Sequence, residues 1–234
     1  MIDLARRDGR MLRIGHRGAA ALAPENTIES LRLALELGCD LVEFDVHDVD
    51  GTLVVVHDRP EVGAKGLPTL DEALDFLAGT DAGLHLDLKA RGSASAVAEA
   101  LRIHGVIERT LISSFRPDTL KEVRTVEQGV RLGLTYPGDP TGFAHQPWAR
   151  PLVWASLAAL KTSFPRRLQH LLSRAGASAA VLNAGVVSGE AVARCHALGV
   201  PVLVWTVDDP AWLPRLDAMG ADGVITNDPR IFQG

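Results

Sequence analysis

From Leu41 the chain alternates apolar and polar side chains, L-V-E-F-D-V-H-D-V, then turns at Asp50-Gly51 and resumes T-L-V-V-V-H-D to Asp58. Period-two alternation predicts strands, and Asp-Gly between two such runs predicts a tight hairpin. Glu43, Asp45 and His47 then share one face of the first strand, and Val42, Phe44 and Val46 share the other. Acids two residues apart on a strand lie roughly 6–7 Å apart at the backbone. On an enclosed face their like charges oppose full ionisation unless a cation sits between them. The returning strand brings His57-Asp58 back beside these acids.

The pattern extends along the chain. Met11 to Gly15 predicts a short strand running into His16-Arg17-Gly18. Asn26 with Glu29 has the spacing of a capping box, and Ile28, Leu31 and Leu35 form a helical stripe ended by Gly38. Thr69 with Glu72 predicts a second helix whose buried face is Leu70, Ala73, Leu74 and Leu77. Leu84 to Lys89 alternates Leu84, Leu86 and Leu88 against His85, Asp87 and Lys89. Ala94 to His104 reads as a helix and Thr110 to Phe115 as a strand, and Pro117 fits a helical first turn. Val130 to Tyr136 is a strand. Pro137 to Pro165, with its five prolines, predicts a loop and one short helix, and Leu168 to Ala175 another helix. Strands follow at Ala179 to Asn183, Pro201 to Val207 and Gly223 to Thr226. They alternate with helices capped by Ser188 and opened by Asp209-Pro210.

Setting aside the hairpin's return strand, eight strands remain, at Leu12, Leu41, Leu84, Leu111, Arg131, Val181, Val202 and Val224. Strands alternating with helices predict a parallel sheet, and eight such units in 234 residues predict a TIM (β/α)8 barrel. An open doubly wound sheet is the competing arrangement, but it gives no reason for polar residues at nearly every strand end. No linker or repeat divides the chain, so one domain spanning residues 1–234 is expected.

Composition narrows the function. A hydrophobic content of 47% with 23% charged residues is that of a globular chain. A net charge of -5 offers no basic footprint for nucleic acid. Cys39 and Cys195 make no disulfide framework, so a reducing, cytoplasmic location is the expectation. Met1 to Arg13 has no apolar core of a signal peptide, and no run of apolar residues approaches a membrane span.

Barrel active sites gather at the C-terminal ends of the strands. There the chain carries His16-Arg17, Glu43-Asp45, Asp87-Lys89, Ser114-Phe115, Asn183, Trp205 and Thr226-Asn227, with His57 added by the hairpin. Three carboxylates without cysteine suit a hard cation, Mg²⁺ or Ca²⁺. A lysine, an arginine and such a cation around one space suit a phosphate diester, and two histidines can serve as general base and general acid.

The sequence resembles the glycerophosphodiester phosphodiesterase family. The motifs that carry the resemblance are His16-Arg17-Gly18, Pro24-Glu25-Asn26-Thr27, Glu43-Phe44-Asp45-Val46, Asp50-Gly51 with Val54-Val55-Val56-His57-Asp58, Asp87-Leu88-Lys89, Ser113-Ser114-Phe115, Trp205-Thr206-Val207 and Ile225-Thr226-Asn227-Asp228-Pro229. The resemblance implies a TIM barrel and a divalent metal, Mg²⁺ or Ca²⁺, held by Glu43, Asp45 and Asp87. It implies His16 and His57 as the acid–base pair, Arg17 and Lys89 as phosphate contacts, and Trp205 as a wall of the substrate pocket. A small-molecule glycerophosphodiester is the implied substrate, split into an alcohol and glycerol 3-phosphate.

The chain departs from the family pattern twice. Asp87 stands where the family usually has glutamate, and the segment after His57-Asp58 shrinks to a loop, Arg59 to Pro68, and one helix. Tyr136, Phe143 and Trp148 are candidates for an apolar wall in place of the missing segment. A lysophospholipase D acting on a lipid with one acyl chain and a non-catalytic phosphate-binding barrel are the competing functions.

Overall fold

Eight parallel strands close on themselves in a computed structural model of the chain, which describes residues 1–58, 66–138 and 150–233. The strands are β1 (Leu12–Gly15), β2 (Leu41–Val49), β3 (Thr52–Val55), β4 (Gly83–Leu88), β5 (Thr110–Ser114), β6 (Arg131–Tyr136), β7 (Ala179–Asn183), β8 (Val202–Trp205) and β9 (Gly223–Thr226). The order is β1-β9-β8-β7-β6-β5-β4-β2, and β1 pairs with β2 to complete the ring. β3 stands outside the ring, antiparallel to β2, with Val49 opposite Thr52. Asp50 (φ 53°) and Gly51 (φ 85°) both take the left-handed conformation that a two-residue hairpin turn demands. The TIM barrel and the hairpin after its second strand are both present.

The helices are α1 (Ile28–Glu36), α2 (Leu70–Ala78), α3 (Ala94–Ile103), α4 (Pro117–Val126), α5 (Arg150–Ala175), α6 (Gly189–Ala197) and α7 (Leu213–Met219). Their apolar stripes cover the outward faces of the strands. Leu84, Leu86 and Leu88 of β4 lie in this layer with Ala73, Leu74 and Leu77 of α2. A second apolar cluster fills the barrel interior, where Leu12, Ile14, Leu41, Leu111, Ala179, Val181, Leu203 and Ile225 meet Ile2 and Leu4. Inward positions nearer the C-terminal ends are polar. The strand ends therefore carry the polar groups and the strand starts carry the apolar plug.

Local structure differs from expectation in two places. The N-cap of α1 is Thr27, whose hydroxyl accepts from Ser30 N at 3.2 Å. Asn26 is released from capping and, at φ 59°, turns inward to Asp45. The short helix expected between Pro137 and Pro165 is instead part of α5, a 26-residue helix that contains Pro165. Proline forgoes one helical hydrogen bond at a cost of roughly 3 kcal/mol. Burial of Phe164, Leu168, Leu172 and Ala175 offsets that cost, and Phe164 stacks on Tyr136 with ring centroids 4.4 Å apart. Phe143, Trp148 and most of the loop after Asp58 lie outside the described residues. Among the described residues no helix is long and apolar enough to cross a membrane.

Candidate active site

A cavity of about 210 Å³ opens at the C-terminal mouth of the barrel. His16, Arg17, Glu43, His57, Asp87 and Lys89 line it, with Trp205 on one side. Seven of the eight residues singled out from the sequence thus meet in one space. The eighth, Asp45, lies just behind, 1% exposed and covered by Lys89 and Asn26.

The turn after β1 sets the first residues in place. Arg17 (φ 51°) and Gly18 (φ 78°) are both left-handed. A Cβ at Gly18 would stand 2.4 Å from Ser30 backbone, so only glycine lets α1 approach this closely. Holding Arg17 in that region costs on the order of 1–3 kcal/mol. It is held because its backbone N–H donates to Glu43 Oε2 at 2.8 Å and its guanidinium donates to Glu25 at 2.7 Å.

Lys89 organises the acids. Its ammonium lies 2.6 Å from Asp45 Oδ1 and 2.6 Å from Asp87 Oδ2. Asp87 Oδ1 accepts from Ser113 Oγ at 2.7 Å and from Thr135 Oγ1 at 3.2 Å. Burial opposes ionisation of Asp45, but Lys89 and Arg17 outweigh it and hold this carboxyl at about 2. The same burial works against the charge of Lys89, and the acids overcome it and raise its pKa. Glu43 is the exception. Burial, reinforced by Asp45, pushes its carboxyl well above the usual range, and Lys89 offsets this only in part. The contrast is Asp40 at the other end of the barrel, where the penalty of burial is outweighed by Arg10, the Arg13 backbone N–H and Arg7.

Each histidine has a defined setting. His16 Nδ1 lies 2.7 Å from Asn227 Oδ1, and Asn227 Nδ2 donates to Asp208 Oδ2 at 2.7 Å. A carboxylate only accepts, so Asp208 orients the amide with its oxygen toward His16. His16 therefore carries its proton on Nδ1 and presents the Nε2 lone pair, 4.0 Å from Glu43. Burial, then Arg17, lowers the His16 pKa. His57 Nδ1 stands 3.1 Å from the exposed Asp58 carboxylate, and burial lowers the pKa of its ring too. A third imidazole, His85, lies at the cavity floor, pushed down to about 4 by burial. His47 is not part of the cavity lining and is bonded through Nε2 to the His57 carbonyl.

The residues suit a hard divalent cation. The donor set is three carboxylates, and Glu43 is the one whose ionisation burial and Asp45 oppose and a cation would favour. Among the described residues no three such groups are already spaced around an ion, and Lys89 occupies the space between Asp45 and Asp87.

Sequence reasoning passed over Asn26, Ser113, Thr135 and Asp208 as site residues. Ser113 and Thr135 had a legible signal, since both occupy inward-facing strand positions near the C-terminal end. Asp208 had none, because it acts through Asn227 across a loop.

The Glycerophosphoryl diester phosphodiesterase family model matches residues 16–75 and 61–231. A glycerophosphodiester phosphodiesterase of Caldanaerobacter subterraneus is 27% identical, covering 92% of this chain and 93% of that protein. The fold is similar to a putative glycerophosphoryl diester phosphodiesterase of Silicibacter pomeroyi, with a TM-score of 0.77, 24% identity and coverage of 98% of this chain and 94% of that one. It is similar also to an Oleispira antarctica phosphodiesterase in complex with the product sn-glycerol-3-phosphate, with a TM-score of 0.75, 24% identity and 96% of each chain covered. The family match spans both histidine motifs, all three acids and Trp205, and the chain belongs to the glycerophosphoryl diester phosphodiesterase family, a family of phosphoric diester hydrolases.

Proposed function

We propose that the chain hydrolyses glycerophosphodiesters to an alcohol and glycerol 3-phosphate, with His16 and His57 as the acid–base pair. The observation that carries this reading is the Asp208–Asn227–His16 chain, which presents an unprotonated imidazole nitrogen to the cavity that His57 also lines. His16 Nε2 takes the proton of the attacking glycerol hydroxyl, whose oxygen bonds to phosphorus as the bond to the departing alcohol breaks; water then opens the resulting cyclic phosphate to glycerol 3-phosphate. His57 returns a proton to the leaving alkoxide, with Asp58 beside Nδ1 to support the protonated ring. Arg17 and Lys89 offset charge on the phosphoryl oxygens, and both line the cavity. Trp205, fixed by its Nε1 donating to Val181 O at 3.1 Å, walls the carbon side of the substrate.

Glu43, Asp45 and Asp87 would hold the divalent cation, with Mg²⁺ and Ca²⁺ the ions this donor set suits. When bound, it would polarise the phosphoryl oxygens and offset their growing negative charge. Glu43 gives a test that needs no turnover. Its folded pKa is raised, so above its unfolded value the folded chain keeps a proton that the unfolded chain has released. Stability therefore falls as pH rises through that window. A bound cation would take the place of that proton in neutralising the carboxylate. Mg²⁺ or Ca²⁺ should thus raise Tm by about 5–10 °C at roughly a hundredfold excess over Kd, at pH 8. The gain at pH 5 should be smaller, because the proton competes. An equal shift at both pH values, or none, would remove Glu43 from the metal site.

The activity itself is tested with a panel of glycerophosphodiesters and one lysophospholipid, following glycerol 3-phosphate and choline release. Glycerol 3-phosphate should form from the diesters and stop forming in chelator. Activity on the lysophospholipid alone would move the chain to the lysophospholipase D reading.

A further inference from the structure

His85 lies on β4, two residues before Asp87, and points into the barrel between Glu43 of β2 and Leu111 of β5 in the sheet register. It is 1% exposed. Its Nε2 is 2.8 Å from Ser113 Oγ, and Ser113 Oγ is 2.7 Å from Asp87 Oδ1. A serine hydroxyl has one proton. Asp87 is an acceptor, so that proton goes to Asp87, and Ser113 Oγ must accept from His85. His85 therefore carries its proton on Nε2, and Nδ1 is left as a bare lone pair.

That lone pair is buried, belongs to a ring that lines the cavity, and has no hydrogen-bond partner among the described residues. Nearby donors are engaged elsewhere: Lys89 with Asp45 and Asp87, Thr135 with Asp87, and Arg17 with Glu25. Buried acceptors in folded proteins are nearly always paired, and an unpaired one on a cavity-lining ring points to a ligand donor. Phosphate oxygens cannot supply it when ionised, whereas an alcohol hydroxyl can. The neighbouring lining is apolar, with Val181, Trp205 and Ile225 offering surface to carbon. One acceptor set among apolar walls suits a short polyol.

We propose that His85 Nδ1 accepts a hydrogen bond from a hydroxyl of the substrate's glycerol portion, making His85 a specificity-determining residue for a glycerol phosphate over an unsubstituted alkyl phosphate. The proposal rests on the reading of this cavity as a glycerophosphodiester site. It adds a ligand contact outside the acid–base pair and the acids.

Calorimetric titration tests it with sn-glycerol 3-phosphate, n-propyl phosphate and inorganic phosphate, on the full chain and on His85→Phe. The unaltered chain should prefer glycerol 3-phosphate over n-propyl phosphate, and His85→Phe should lose about tenfold of that preference. Inorganic phosphate should bind both proteins alike, which shows that the variant's site is intact. A preference unchanged in His85→Phe overturns the role of His85 and leaves the proposed function standing. No preference in the unaltered chain overturns both. Should His85→Phe fail to fold, imidazole ¹⁵N spectra of the unaltered chain decide. The His85 ring should show the Nε2–H form, and its Nδ1 resonance should move with glycerol 3-phosphate but not with n-propyl phosphate. An Nδ1 resonance indifferent to glycerol 3-phosphate would mean that water alone satisfies it, and the proposal fails.

Discussion

His16→Ala and His57→Ala should each slow turnover by about 10²–10⁴-fold while the chain stays folded. The magnitude follows from losing one of the two proton-transfer partners in the proposed mechanism. Neither ring is a core residue whose removal leaves a large void, since both line an open cavity. Partners acting in one step are not additive, so the double variant should be little worse than the more damaging single one. Asn227→Ala should reproduce part of the His16 effect, because it frees the ring to hold its proton on either nitrogen. Two other histidines are controls. His104 closes α3 between Ala100 O and Asp75, and His196 on α6 is bonded to Asp222, both remote from the cavity. Their alanine variants should keep full activity and lose only modest stability. If His104→Ala were as damaging in steady-state rate as His57→Ala, the site would be elsewhere.

The acid cluster predicts the second large effect. Lys89→Met removes the cation that holds Asp45 and Asp87 together. Removing one partner of a buried ion pair costs about 3–5 kcal/mol, so the variant should unfold at clearly lower denaturant in chelator. Added Mg²⁺ or Ca²⁺ should restore much of the stability, because a divalent ion can neutralise the same carboxylates. It should not restore turnover, because the proposed phosphate contact of Lys89 is gone. Asp87→Asn should behave oppositely: a modest stability change, weaker metal affinity, and activity that returns in part at high metal concentration. Exhaustive chelation of the unaltered chain should abolish turnover, and full activity after it would sink the metal assignment. Asp87→Glu separates two accounts of the shortened acid. Ser113, Thr135 and Lys89 already engage both oxygens of the aspartate, so an added methylene would break that fit. Lower metal affinity in Asp87→Glu is expected, and an affinity equal to or tighter than the parent's would overturn it.

Much of this was legible in the linear chain because barrel strands make inward and outward positions a matter of parity. Glu43 and Asp45 share a face, as do His85, Asp87 and Lys89, and period two puts them there whatever the rest of the chain does. The Asp50-Gly51 turn needs two left-handed residues, and its composition announces them. Capping at Thr69 is equally local, with Glu72 three residues on closing the box in both directions. Asn26 shows where locality stops. Two adjacent residues could cap α1, and Asp45 on the neighbouring strand β2 decided that Thr27 caps and Asn26 reaches inward. Pro165 shows the same for α5, where burial of one helix face outweighs a breaker that is reliable only in isolation.

By itself the sequence determined the barrel, the strand ends that carry polar groups, and the identity of the acids, histidines and cations that meet there. Those properties depend on periodicity and residue type, which are local. Only the tertiary structure decided how the charges and protons are arranged. It set Lys89 between two acids, left Glu43 as the carboxyl without full compensation, turned His16 to present Nε2, and left the buried His85 Nδ1 without a partner among the described residues. Each of these depends on residues far apart in sequence coming within about 3–4 Å, at distances where one hydrogen bond or one desolvated charge changes the protonation state of its neighbour.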